Sequence, residues 1–152
     1  MGLRGEKMIK HYQHTQIGYW IIIILSIGMF FFAYLMTVYG FNWIFFAVLI
    51  IFVICLVLFA TLTVTIKKDN LEIRFGLGFI KKKFLLKDIE SYQTVTNPWY
   101  FGWGIRLTPH GWLYNISGPN AVEIKMKTGK KYRIGTDAPN DLEKAIQQSI
   151  GR

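Results

Sequence analysis

Between residues 17 and 66 the sequence contains no Asp, Glu, Lys, Arg or His. All 18 of its Lys and Arg, all 9 of its Asp and Glu and all 3 of its His lie outside that window. A charge at the centre of a bilayer costs roughly 2.5–3.5 kcal/mol on insertion scales, so a charge-free stretch of this length is a membrane signal. Cysteine is almost as scarce. The single Cys55 falls inside the window, which excludes a disulfide framework and a thiolate metal site. Catalytic signatures are missing too. There is no Gly-x-Ser-x-Gly elbow, no His-Glu-x-x-His and no acidic cluster beside the window. The glycine pairs 76/78 and 102/104 open no helix in a βαβ unit and are not nucleotide fingerprints. An intramembrane enzyme keeps polar catalytic groups inside its spans. This window offers little beyond Ser26, Thr37, Asn42, Cys55, Thr61 and Thr63. We therefore expect no enzyme, no catalytic residue and no cofactor.

What the window does contain is two membrane helices. One span takes about 20 helical residues. Ile17–Tyr39 and Trp43–Thr65 each supply that length, and Gly40 and Asn42 form the turn between them. Tyr12, Tyr19 and Trp20 flank one side and Tyr39 and Trp43 the other, where interfacial rings sit. The first span is longer than a secretory h-region, and no small-x-small cleavage site follows it, so we expect it to be retained. Glu6 stands where a myristoylation signal has Ser or Thr. Arg4, Lys7 and Lys10 precede the hairpin, Lys67, Lys68 and Arg74 follow it, and its turn has no cation. The positive-inside rule then puts both termini in the cytoplasm of a multi-pass cell-membrane protein. The expected layout is a basic cytoplasmic N-terminus over 1–16, a hairpin over 17–65 and a cytoplasmic domain over 66–152.

In that last segment the period becomes two. Leu71, Ile73, Phe75 and Leu77 share one face of a strand that follows the Asp69-Asn70 turn, so 62–68 pairs with it as a first strand. Further strands are expected over 79–86, 89–96, 105–107 or 112–116, 121–127 and 131–134, with a tight turn at Thr128-Gly129. Leu142, Ala145, Ile146, Ser149 and Ile150 recur at helical spacing. Asn140 and Glu143 suit a capping box, and Pro139 suits that start or one from Asp137. About seven antiparallel strands closed by one amphipathic helix make a pleckstrin-homology (PH)-like architecture, an all-β or α+β domain on a membrane helical hairpin.

The segments Gly102–Arg106 (GWGIR), Gly111–Gly118 (GWLYNISG) and Ala121–Asp137 (AVEIKMKTGKKYRIGTD), with the helix after them, resemble the bacterial PH-like membrane proteins. In that family a two-helix hairpin leads directly into a PH-like domain. The resemblance implies fold and membrane association, and it brings no catalytic residue.

Residues 67–152 hold fifteen Lys or Arg against eight Asp or Glu. Lys67, Lys68, Lys81, Lys82 and Lys83 stand near the membrane in sequence or in a hairpin with it, and are the candidate ligands of acidic lipid head groups. The competing reading is that they set topology alone. A second cluster, Lys125, Lys127, Lys130, Lys131 and Arg133, is expected on the outward face of the last hairpin. Attachment to the bilayer argues against a nucleic-acid partner. Trp99, Tyr100, Phe101 and Trp103 form an aromatic loop. We read these rings first as caps completing the core, and otherwise as an interface that dips into the membrane or meets a partner. His11 and His14 are spaced for one helical face, but with only Glu6 nearby they read as a polar collar rather than a metal site, and His110 sits in a solvated turn. Gly18, Ser26, Gly28 and Ala33 along the first span could admit a close neighbouring helix. The expected function is a non-enzymatic module binding acidic lipid, a protein partner or its own copies. The alternative is a small accessory subunit of a larger membrane complex.

Overall fold

The computed structural model of the chain describes residues 12–151. Arg4, Glu6, Lys7, Lys10 and His11 lie outside the described residues. The order of elements is β1 (Tyr12–Ile17), α1 (Tyr19–Tyr39), α2 (Trp43–Phe59), β2 (Thr61–Ile66), β3 (Asn70–Phe75), β4 (Ile80–Leu85), β5 (Ile89–Thr96), β6 (Gly104–Thr108), β7 (Gly111–Asn115), β8 (Asn120–Met126), β9 (Lys131–Gly135) and α3 (Pro139–Ile150). The first four strands form one antiparallel sheet in chain order, and the other five a mixed sheet in the order β5-β8-β9-β7-β6.

The helical hairpin is inserted into a β-hairpin. Strand β1 pairs with β2 from Tyr12↔Ile66 to Ile17↔Thr61, and the chain leaves for both helices between those strands. The Gly18 amide donates to the Ala60 carbonyl at 2.8 Å and ties the two helix bases together. The segment 12–16, expected as a separate cytoplasmic leader, is therefore part of the sheet. Helix α1 starts at Tyr19 rather than Ile17, and α2 stops at Phe59 rather than at residue 65. The reason is visible in TLTVTI (61–66). Its alternating β-branched residues favour a pleated strand, and Leu62, Val64 and Ile66 are buried in the sheet core.

Neither long helix has a fully buried residue, and their bases touch the β core through Ile21 and Phe59. The two helices pack on each other. Phe32 meets Phe45 and Phe52 edge-to-face at 5.9 Å, and the Phe52 ring occupies the space a side chain at Gly28 would need. The small residue at 28 thus serves the hairpin's own partner helix. Helix α1, at 21 residues, is long and apolar enough to cross a membrane, whereas the equally apolar α2 has 17.

The β body holds the core. Phe75 against Tyr114 (6.3 Å) and Phe84 against Tyr132 (4.8 Å) join the two sheets, and α3 seals one open side with Leu142 and Ile146 fully buried. Pro139 stands in the first turn of α3, but the expected capping box does not form. Glu143 instead accepts hydrogen bonds from the amide and hydroxyl of Thr94, which pins the helix to β5. Among the described residues nine strands stand where about seven were expected, because β1 was not foreseen and both candidates for the fifth strand exist, paired as β6 and β7. One pairing, β7 with β9, is parallel.

Candidate functional site

Because both helices leave between Ile17 and Thr61, the β body has a helix end and a far end. The loops 76–79, 116–119 and 136–138 gather at the helix end with Asn97–Trp99 and Gly102–Trp103, and 67–69, 86–88, 109–110 and 127–130 lie at the far end, while the Phe101 ring reaches back to His110 at 6.2 Å. No Lys or Arg occurs in the helix-end loops, whereas Lys67, Lys68, Lys87, Lys127 and Lys130 occupy the far-end loops.

Large apolar side chains project from the helix end. Leu77 is 77% exposed, Phe79 76% and Trp99 90%, beside exposed Tyr19, Trp20 and Tyr100. Two of these rings belong to the aromatic loop, whose Phe101 and Trp103 are half-buried, and none of the four rings is among the residues that form or pack against the core. The loop is fixed from behind. Asn97, at its start, receives a 2.8 Å hydrogen bond from Arg133 Nη1, and Arg133 Nε donates to Glu123 at 2.8 Å. Both members of this ion pair are buried, at 7% and 6% exposure. Gly102 closes the loop with a positive φ of 69°, where a Cβ would crowd the Arg106 guanidinium. Gly76, at φ 52°, lets the β3–β4 turn press against α2. A Cβ there would lie 2.0 Å from the Val57 carbonyl oxygen.

The lysines do not form one strip. Lys67 and Lys68 stand at the far end of β2, a strand length of about 20 Å from the helix bases. Sequence proximity to the second span misplaced them, because β2 runs away from the helices. Within β4 the side chains alternate. Lys81 and Lys83 face outward, opposite Arg74 and Glu72, with Lys83 Nζ 3.6 Å from Glu72. Lys82 shares the inner face with Phe84, and its ammonium lies over the Phe84 and Tyr132 rings at 5.9 and 5.8 Å. Of the second cluster, Arg133 is buried in its ion pair, Lys125 meets Glu90 at 3.1 Å and Lys131 approaches Glu123 at 3.9 Å. That cluster is therefore partly neutralised rather than a free cationic face.

Two of the open clefts adjoin each other. A groove of about 460 Å3 between β4 and the second sheet is floored by Phe75, Tyr114 and Tyr132 and rimmed by Lys81, Lys82 and Lys130. Burial, with Tyr132 beside it, raises the Tyr114 hydroxyl above its ordinary pKa. A larger cleft of about 690 Å3 lies at the helix bases between Ile21, Ile24 and Phe59 on one side and Trp103, Ile105 and Arg106 on the other.

Among the described residues no three His, Cys, Asp or Glu are gathered as a metal site needs. His14 pairs with Asp137 across β1, and His110 sits exposed in the far-end β6–β7 turn. The chain matches no protein-family model and no curated protein.

Proposed function

We propose that the chain is a non-enzymatic membrane module, a PH-like body standing end-on against the bilayer on two transmembrane helices, where it contacts acidic lipid head groups. The observation that carries this reading is the helix end of the β body. Exposed Leu77, Phe79 and Trp99 share it with the bases of two apolar helices, and its loops carry no cation. Helix α2, at 17 residues, measures about 25 Å and falls roughly 5 Å short of a 30 Å hydrocarbon core. Seating the apolar end of the body in the interface supplies that missing depth. Arg74 and Lys81 flank Gly78 just behind the Leu77/Phe79 tip. They stand at the level of lipid phosphates, where each cation adds about 1 kcal/mol of attraction to an anionic surface. Two sheets closed by α3 support the PH-like reading of the body. The charge-free helix turn supports a cytoplasmic side for both chain ends.

A second reading is favoured by the outward faces of the helices, where Phe30, Phe31 and Tyr34 are exposed. There the hairpin packs against a larger membrane protein or another copy of itself. Cysteine labelling of the whole chain, with Cys55→Ser as background, tests the main reading. Asn42→Cys reacts with impermeant maleimide from outside intact cells, and Lys68→Cys only after permeabilisation. Labelling of both from the same side, or release of the chain by alkaline carbonate, overturns it. Cross-linking in membranes separates the second reading, which requires a band heavier than the 17.7 kDa chain.

A further inference from the structure

The two clefts are neighbours. Ile105 lines both of them, and Phe59 of the helix-base cleft meets Phe75 of the interstrand groove edge-to-face at 5.7 Å. Their chemistry differs in one direction. The helix-base cleft is apolar, walled by Ile21, Ile24, Phe59 and Trp103, with Arg106 at its rim. The Arg106 guanidinium is held by a 2.9 Å hydrogen bond from Nε to the Trp103 carbonyl, and no carboxylate among the described residues pairs with it. Beyond Ile105, the groove has three lysines, two tyrosines and no carboxylate among its lining residues, with Lys82 the inward-facing member of β4.

We infer that these clefts form one binding site for a membrane phospholipid with an anionic head group. An acyl chain lies along the helix bases, and the phosphate rests between Lys82 and Lys130. The inference rests on the membrane reading above and gives that reading a specific ligand site. An apolar cleft opening beside the spans at the depth of the interface excludes water and receives a chain laterally from the bilayer. A phosphate leaving the bilayer plane needs replacement cations, and the exposed lysines at this groove supply them. Lys82 is the member of the lysine triplet directed into this groove. Its ammonium already lies over two rings, and an arriving phosphate completes its coordination.

The test uses the full chain purified from membranes in mild detergent and loaded with dioleoyl phosphatidylglycerol or dioleoyl phosphatidylcholine, with bound lipid counted by native mass spectrometry. The wild-type chain retains one phosphatidylglycerol and little phosphatidylcholine. Replacing Lys82 and Lys130 together by Gln weakens retention about 25-fold, at roughly fivefold per charge. Ile105→Trp, which fills the junction, lowers retention of the same lipid without changing the charge. Lys67→Gln with Lys68→Gln leaves retention unaltered. Circular dichroism of each variant shows whether it is folded. Equal retention of both lipids, or full retention by a folded Lys82/Lys130 variant, overturns the site. Displacement by water-soluble glycerol phosphate as effectively as by the lipid overturns it in favour of a free phosphate ligand. Carbonate extraction of the same preparations separates the two claims: a chain that stays in the membrane but holds no phosphatidylglycerol refutes the site alone.

Discussion

The two ends of the β body are built from the same strands and differ almost completely in what they expose. At the helix end the loops carry Leu77, Phe79, Trp99 and Tyr100 and no Lys or Arg. Some 20 Å away the loops carry Lys67, Lys68, Lys87, Lys127 and Lys130. A soluble β-sandwich has no reason to sort its loop side chains this way, since singly scattered apolar residues are normal on any surface. Sorting by end supports the proposed seating of the apolar end at a membrane boundary.

Several substitutions break or sharpen this contrast. The largest effect is expected from Gly76→Ala at the helix end. Positive φ and a Cβ 2.0 Å from the Val57 oxygen leave no room for relaxation without moving α2. The expected loss exceeds about 4 kcal/mol and abolishes folded protein in a thermal-shift assay. A stable Gly76→Ala chain would show that the sheet does not press on the helix base. Next comes Arg133→Met, which strands the buried Glu123 and frees Asn97. The cost is about 3 kcal/mol, read by denaturation, and Glu123→Leu added to it restores most of the loss. If the double variant is no better than the single one, the ion pair is not what anchors the aromatic loop.

A smaller effect is expected from charging the tip. Leu77→Lys with Phe79→Lys removes a partial burial worth roughly 1–2 kcal/mol in total. Cysteines at 77 and 99 react slowly with aqueous maleimide in membranes, while cysteines at 68 and 87 react fast. Equal rates at both ends would erase the distinction. Smaller again is a pH effect at Tyr12 in β1. Burial, with Asp141 and then Asp137 nearby, raises its hydroxyl from 10.0 to about 12. A tyrosine that ionises later when folded than when unfolded stabilises the fold below pH 10, and that contribution is lost as pH rises from about 10 to about 12. Tyr12→Phe therefore flattens the alkaline limb of the stability curve measured by circular dichroism. An unchanged limb would remove Tyr12 as its cause. The smallest effect is Lys67→Gln with Lys68→Gln, expected within about 0.5 kcal/mol of wild type. A marked loss of membrane binding there would bring the far end back into contact with lipid.

Much of this organisation is legible in the residues. The charge-free window marks the helices, and the alternation in 70–75 and 120–126 marks strands, because burial on one face writes a period of two. Strand β1 is not legible. In YQHTQI the inward face carries Tyr12, His14 and Gln16, so two of its three positions are strongly polar, and the partners of these two, Asp137 and the Ser117 carbonyl, are distant in sequence. Three successive lysines in β4 likewise conceal an alternation that only pairing with β3 reveals. Arg133 looks like one more surface cation beside Lys130 and Lys131, and nothing short of the β8–β9 register shows that it faces Glu123. The end-to-end sorting of loops was beyond the sequence for the same reason: it depends on which way each strand runs.

The insertion of the helices between β1 and β2 has a consequence for the order of events as the chain is made. Strand β1 leaves the ribosome before either helix, and its partner β2 only after both, so Tyr12↔Ile66 cannot close until the hairpin has been synthesised and lodged. Were the two helix bases to arrive apart, the bond from Gly18 to the Ala60 carbonyl would have no partner and the first sheet would lack its edge. Closure of β1 onto β2 therefore waits on both helices, and a chain whose helix bases lie apart keeps β1 unpaired.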